Sequence, residues 1–399
     1  MTTAASQSAP PPAPGPLAGV TVLDLASVGP AARCTRLLAD YGATVVKVGA
    51  VPGRGAEPIV PPFFAYSGSR HLRRVNIDLK DAGGRDAFLA LVAGADVVVE
   101  SFRPGVMDRL GLSFGELSAA NPRIIVCSTT GYGQTGPRAS WAGHDIDYLA
   151  VGGYLATSGS RADGGPPLPG ATIADAAGGG MHAALAVLAA LVGREATGRG
   201  THLDVSIADG VLWLTSLAAD EHLATGTEPG PGHDILTGRY ACYDTYQARD
   251  GRWLAVGAIE GKFFANLCRL LGCDQWAAHQ LDDEVQDKIR DDFRAAFATR
   301  DLDEWVEVLA GADTCVAPVL TVSEAVRDPQ YEARHAVVAA ETADGRRFRQ
   351  VGPVLAGMAP AAEPVAVRDA TATDTDHLLR GAGLSDETIS GLRAKGVVA

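Results

Sequence analysis

The sequence predicts an α/β protein, with a large domain built around a parallel sheet and a smaller α+β region after it. The N-terminal third alternates strand and helix. Val20-Thr21-Val22-Leu23-Asp24-Leu25 is an apolar run of strand length, Gly29-Pro30 turns the chain, Ala31 to Tyr41 carries helical spacing toward Gly42, and Ala43-Thr44-Val45-Val46-Lys47-Val48 is a second strand. Strands separated by a helix return to pair in parallel. The alternation then repeats, with a helix over Gly83 to Ala93 and a strand at Asp96-Val97-Val98-Val99-Glu100. Ser113-Phe114-Gly115-Glu116 has the form of a capping box, opening a helix that stops before Asn121-Pro122, and Arg123-Ile124-Ile125-Val126-Cys127-Ser128 is the next strand. Finally, the texture changes near residue 235. Tyr240 to Tyr246 and Trp253 to Gly257 form a hairpin about Asp250-Gly251, and charged amphipathic helices follow to about 330.

Between these regions, Met181 to Gly193 is a long Ala/Leu helix and Thr201 to Ser206 alternates as a strand. Ser385 caps a last helix whose first turn holds Asp386 and Glu387, where the helix dipole favours acids. The expected organisation is a disordered tail over 1–16, a large domain from 17–220 and 335–399, and a small domain with linkers over 221–334. The tail is a Pro/Ala/Ser tract with neither a basic start nor an apolar core, so it reads as neither signal nor anchor.

Composition narrows the function. With 399 residues and 47% hydrophobic content the chain can bury a large core, and a formal net charge of −13 disfavours a nucleic-acid surface. Six scattered cysteines lack the C-x-x-C spacing of metal and redox sites and read as free thiols in a reducing compartment. No run approaches about 18 consecutive apolar residues, so the expectation is a soluble cytoplasmic protein with no membrane segment.

Gly131-Tyr132-Gly133-Gln134-Thr135-Gly136 follows a strand and satisfies G-x-G-x-x-G. Pro137-Arg138-Ala139-Ser140 stands where the dinucleotide-binding helix should begin, however, and no acid follows at about 20 residues to hold a ribose. The loop is read instead as a pocket wall. Just beyond it, Gly143-His144-Asp145 offers an imidazole, Asp175 precedes Gly178-Gly179-Gly180, and Glu260 closes Gly257-Ala258-Ile259-Glu260. Taken singly, each has an ordinary explanation: a structural histidine, a helix-capping Asp and a surface carboxylate beside Lys262.

Together, and in this order, these passages resemble the catalytic stretches of the α-methylacyl-CoA racemases within the family III CoA-transferase (CaiB/BaiF) superfamily. The resemblance extends from about Pro16 to the C-terminus. It includes Gly19 to Leu25, Leu37 to Ala43, Ile77 to Lys80, Glu100 to Gly105, Asn121-Pro122-Arg123 with Gly131 to Pro137, Ala317-Pro318-Val319 and Gly383 to Glu387. It implies a Rossmann-like large domain made from both termini, a small middle domain and an interlocked homodimer. The racemases carry Gly-His-Asp at His144, whereas in the CoA-transferases the acid matching Asp175 is a nucleophile and the histidine is not part of the pattern.

An α-proton of an acyl thioester is far less acidic than any imidazole or carboxyl group, so its removal needs a positioned base and a stabilised enolate oxygen. Inversion needs a base on each face. The resemblance implies His144 supported by Asp175 on one face and Glu260 on the other. N–H groups at the start of the helix after Asp175 are the expected oxyanion donors. CoA enters as part of the substrate, and neither a metal nor a separate cofactor is expected. The positions matching the family's CoA contacts are Ile77, Asp78, Leu79, Lys80, Ser101, Phe102, Arg103, Arg109, Gly143, Asp145 and Tyr148. Gly49-Ala50 departs from the family, whose members commonly have an acid followed by Arg or Pro there, and Arg54 is the expected substitute. The alternatives are a CoA-transferase carrying CoA on Asp175 and an inactive acyl-CoA-binding paralogue.

Overall fold

The computed structural model describes residues 15–26, 28–53, 70, 72–353, 356–358, 360, 363–369 and 372–399. The expected tail and Arg54 therefore lie outside the described residues, apart from Gly15 and Pro16. The chain divides into two compact units, one comprising 1–152, 170–214 and 329–399 and the other 153–169 and 215–328. The first unit thus takes residues from both ends of the chain.

Its centre is a six-stranded sheet of β1 (Thr21–Asp24), β2 (Thr44–Gly49), β3 (Leu72–Asn76), β4 (Val97–Glu100), β5 (Ile125–Thr130) and β6 (His202–Ser206). The order is β3-β2-β1-β4-β5-β6 and every pairing is parallel. Alternate residues of each strand bury on opposite faces, which is why these strands read as apolar runs. Val22, Val97, Val99, Ile125 and Cys127 pack with Ala31, Cys34 and Leu38 of the helix Gly29–Asp40 and with Ala183, Ala184 and Val187 of the helix His182–Thr197. On the other face Leu23, Val46, Val98 and Val126 meet Phe88 and Leu91 of the helix Ala82–Ala93, together with Leu379 and Ile389 from the C-terminal helices.

β3 was not anticipated, because Leu72-Arg73-Arg74-Val75-Asn76 is an edge strand with little apolar content. Charged edges of this kind discourage further strand pairing. The expected capping box is present, with Ser113 and Glu116 exchanging hydrogen bonds at the start of the helix Phe114–Ala120. Continuous helical backbone over Ala174–Thr197 is long and apolar enough to cross a membrane by length and composition; one side of it packs on the sheet.

The second unit contains an antiparallel sheet of β7 (Tyr243–Gln247), β8 (Trp253–Gly257) and β9 (Val316–Pro318), including the anticipated hairpin. Its core gathers Tyr246, Leu254, Phe264, Phe293, Phe297 and Trp305. Buried polar atoms are satisfied, since the Tyr246 hydroxyl donates to the Ala241 carbonyl at 2.7 Å and Trp305 Nε1 to the Phe297 carbonyl at 2.8 Å. Back in the first unit, a small mixed sheet unforeseen from the sequence has the order β11-β10-β12, formed by β10 (Val337–Thr342), β11 (Arg347–Val351) and β12 (Val365–Val367).

Candidate active site

Strand order reverses direction between β1 and β4, and in an open parallel sheet that point leaves a crevice at the carboxyl ends of the strands. A cavity of about 650 Å³ lies there, within the first unit. Its walls come from Val28 to Pro30 after β1, Ser101 to Pro104 after β4 and Thr129 to Gly131 at the end of β5, closed by residues 139, 141–144, 147–148, Asp175 and Ile207. The size suits a small-molecule site. The loop after β1 is fixed by a buried charge: Asp24 Oδ1 accepts the Ala26 N–H at 2.8 Å, and Lys47 Nζ lies 2.6 Å from Asp24 Oδ2.

His144 caps the helix Asp145–Val151 in extended backbone, and its own N–H donates to the Asp147 carboxylate at 2.8 Å. The residue is exposed and lines the cavity. Tyr148 holds the segment from one turn on, its hydroxyl donating to the Gly143 carbonyl at 2.6 Å. Burial, with the carboxylates nearby, pushes the Tyr148 phenol up to about 12, so it remains a donor at neutral pH. Glycines make this packing possible. A Cβ at Gly131 would stand 2.5 Å from the Tyr148 ring and one at Gly143 2.8 Å from it. Of the Gly131 to Gly136 loop, expected to be a pocket wall, Gly131 lines the cavity and residues 132–136 do not; the Gln134 N–H is taken by the Asp204 carboxylate at 3.0 Å.

Asp175 sits in a π-helical turn, Ala174–Met181, that runs into the helix His182–Thr197. Such turns recur at functional sites because the extra residue displaces one side chain from the regular helix spacing. Its N–H donates to Asp145 Oδ1 at 2.8 Å and the Ala176 N–H to the Thr172 carbonyl at 3.0 Å. The expectation of oxyanion donors at this helix start is corrected accordingly: the Asp145 carboxylate and the preceding turn occupy these two N–H groups. Asp145 meets the site through that bond and not as a cavity-lining group. Asp175 itself is not a capping residue, since Ile173 holds the cap position in helical backbone.

The Asp175 side chain is largely buried and lines the same cavity as His144. Burial raises its pKa above the ordinary carboxyl value; Arg33 and His144 oppose that rise, and Asp145 reinforces it. Arg33 Nη1 lies 3.4 Å from Asp175 Oδ2. Sequence reasoning missed Arg33, because nothing in the local pattern marks a contact 142 residues away.

Glu260 belongs to the second unit. It is exposed at the cap position of the helix Gly261–Leu271, and Gln280 Nε2 fixes the preceding carbonyls of Ala258 and Ile259 at 3.0 and 2.6 Å. Of the expected CoA contacts, Ser101, Phe102, Arg103, Gly143 and Tyr148 line the cavity. The Ser101 loop is pinned by buried Glu100, whose Oε2 accepts the Phe102 N–H at 2.6 Å. Arg109 is exposed, its guanidinium folded back toward Gly105. The Ile77 side chain is buried in the sheet core, so a ligand contact at this position would have to be made by its backbone. Asp78 takes the Lys80 N–H at 3.1 Å in the turn before the helix Ala82–Ala93, Leu79 packs against the core, and Lys80 is exposed. None of Ile77, Asp78, Leu79 and Lys80 lines the cavity.

The sequence profile of CoA-transferase family III matches residues 17–370. The chain belongs to CoA-transferase family III. Within that family, it is 34% identical to the α-methylacyl-CoA racemase of Mus musculus over 385 residues, 96% of this chain and 97% of that protein. It is also 34% identical to the acetyl-CoA:oxalate CoA-transferase of Acetobacter aceti over 341 residues, covering 81% and 86% of the two chains. Among solved structures, Rv3272 of Mycobacterium tuberculosis superimposes with a TM-score of 0.72 at 28% identity, covering 86% and 92%. The resemblance read from the sequence and the α/β fold class with its parallel sheet are borne out. The family contains racemases and CoA-transferases alike, so membership alone leaves the reaction open.

Proposed function

We propose that this family III protein interconverts the enantiomers of 2-methylacyl-CoA thioesters by proton transfer through an enolate. The observation that carries the reading is His144 beside Asp175 in one cavity. A transferase needs the carboxylate as a nucleophile but has no step for an imidazole, whereas inversion at carbon needs two groups that exchange a proton. In each direction one base takes the α-proton, the electron pair moves onto the thioester oxygen, and the other group returns a proton to the opposite face. A base that is partly desolvated is stronger than the same group in water, which suits Asp175 to the task. His144 is one member of the pair, and Asp175 is the carboxyl that shares its cavity. Glu260, implied by the resemblance as the opposite-face base, is assessed by Glu260→Gln: loss of inversion with retained α-proton exchange makes it the second base, and full retention leaves His144 and Asp175 sufficient.

The deciding experiment uses one enantiomer of a 2-methylacyl-CoA in D₂O without an acceptor acid. A racemase places deuterium at the α-carbon as the opposite enantiomer accumulates. CoA passing to a second carboxylate through a thioester at Asp175, with the α-carbon untouched, is the transferase result and would overturn the proposal. Binding without either change marks the inactive paralogue.

Arg103 at the cavity and Arg109 near it suit the phosphates of the CoA handle by charge and fork geometry. The double variant Arg103→Ala/Arg109→Ala is expected to raise KM for acyl-CoA roughly tenfold with a smaller effect on kcat, because the handle is bound alike in ground and transition states. An unchanged KM in steady-state kinetics places the nucleotide elsewhere. A homodimer is part of the proposal: Met181, Leu185 and Val192 are exposed on the apolar helical segment after Asp175, which a second copy would cover. Light scattering of the purified protein measures this directly.

A further inference from the structure

Arg33 reaches Asp175 because two helical segments approach unusually closely, and glycines set the spacing. A Cβ at Gly179 would stand 2.6 Å from Pro30 Cβ, and one at Gly180 2.8 Å from Arg33 Cβ. Any side chain at either position would push the helix Gly29–Asp40 off the Ala174–Met181 turn. With none, Arg33 Nη1 comes to 3.4 Å from Asp175 Oδ2, while Arg33 Nη2 donates to Thr172 Oγ1, three residues before Asp175. The guanidinium is therefore anchored on the segment that leads into the turn carrying the carboxylate, and both side chains are only 18% exposed.

We infer that Arg33 is a positioning residue for the reaction at Asp175, holding that carboxylate in one orientation and favouring its ionised form. The inference rests on the proton-transfer reading of this cavity. The groups that face Asp175 explain why a fixed cation matters. From the segment around His144 come Asp145, His144 itself and the Tyr148 phenol. From the helix Ile207–Leu214, the residues packed against the glycine run are apolar Ile207 and Val211. From the helix Gly29–Asp40 comes Arg33.

Burial and Asp145 favour the neutral acid, and His144 favours the anion only while the imidazole is protonated. In a proton-exchange cycle His144 loses and regains that charge at each turnover. Arg33 keeps its charge throughout, because a guanidinium is not deprotonated in the working range. It therefore favours the ionised carboxylate that takes the α-proton in the direction in which protonated His144 returns one; in the reverse direction Asp175 carries the proton and donates it. Removing a neighbouring cation raises a carboxyl pKa, so loss of Arg33 must raise the pH at which Asp175 becomes ionised and able to take the α-proton.

The test follows the Asp175 carboxyl carbon by ¹³C NMR in the full-length protein labelled with [¹³C]aspartate, its signal assigned by its loss in Asp175→Asn. In Arg33→Met the titration midpoint is expected to move up by about one pH unit or more, and in Arg33→Lys, which restores the charge without the fork, by less. The acid limb of kcat/KM for α-deuterium exchange should move upward with it. An Asp175 midpoint unchanged by Arg33→Met overturns the inference. So does a loss of activity that is uniform across pH and not relieved by lysine, since that is the signature of a scaffold contact. If the native protein exchanges no deuterium with any 2-methylacyl-CoA, the functional reading fails by itself; the NMR midpoints still decide whether Arg33 controls Asp175.

Discussion

Replacing His144 by alanine is expected to lower the rate of enantiomer interconversion by about 10²- to 10⁴-fold, the usual contribution of one positioned acid–base group. The loss should be selective. With one base gone the remaining base can still remove the α-proton from the enantiomer whose hydrogen points toward it, and solvent deuterium returns on the same face. Wash-in without inversion, confined to one enantiomer, is the result that separates a missing base from a damaged site. His144 is exposed at a helix cap and its cap bond is made by the backbone N–H, so truncation leaves the Asp147 contact in place. Proton NMR in D₂O with chiral analysis of the recovered acid measures both quantities, and circular dichroism checks that the fold is retained. Inversion at the native rate in His144→Ala would remove the imidazole from the mechanism.

Much of this architecture was legible because it follows from burial. Val97-Val98-Val99 and Ile124-Ile125-Val126 read as strands since both faces of a parallel sheet are covered, leaving no room for polar alternation. The rejection of a dinucleotide-binding loop at Gly131 to Gly136 also followed from local chemistry, because Pro137-Arg138 cannot open the apolar helix that a dinucleotide fold requires. Features set by distant partners were not legible. β3 is held by pairing with β2 and carries two arginines, so its own composition hides it. Asp175 looked like a helix cap, yet the turn around it is π-helical and its N–H is claimed by Asp145, 30 residues earlier. The three glycines after it allow close packing. What they admit, Pro30 and Arg33 on one side and Ile207 and Val211 on another, depends on tertiary docking and has no signature in the glycines themselves.

That docking gives the largest expected effect on stability. Gly210, on the helix Ile207–Leu214, sits so near the Ala174–Met181 turn that a Cβ there would stand 2.1 Å from the Gly178 carbonyl oxygen and 2.7 Å from its Cα. Neither atom belongs to a side chain that could rotate away, so Gly210→Ala must separate the two segments. Overpacking of this kind costs about 1–3 kcal/mol and sometimes more. The clashing Gly178 lies three residues after Asp175 in the same turn, so activity should fall together with stability. Gly193→Ala is the matching control. Gly193 lies exposed in the helix His182–Thr197 with no atom within 4 Å of its would-be Cβ, and there alanine should stabilise the helix by roughly 0.5–1 kcal/mol through the backbone freedom that glycine would lose on folding. The two substitutions add the same methyl group to helices of the same unit, so any difference between them in urea denaturation reports local space and not helix propensity. A Gly210→Ala protein as stable and as active as the native one would mean that the close approach of these segments is not what holds Asp175 in the cavity.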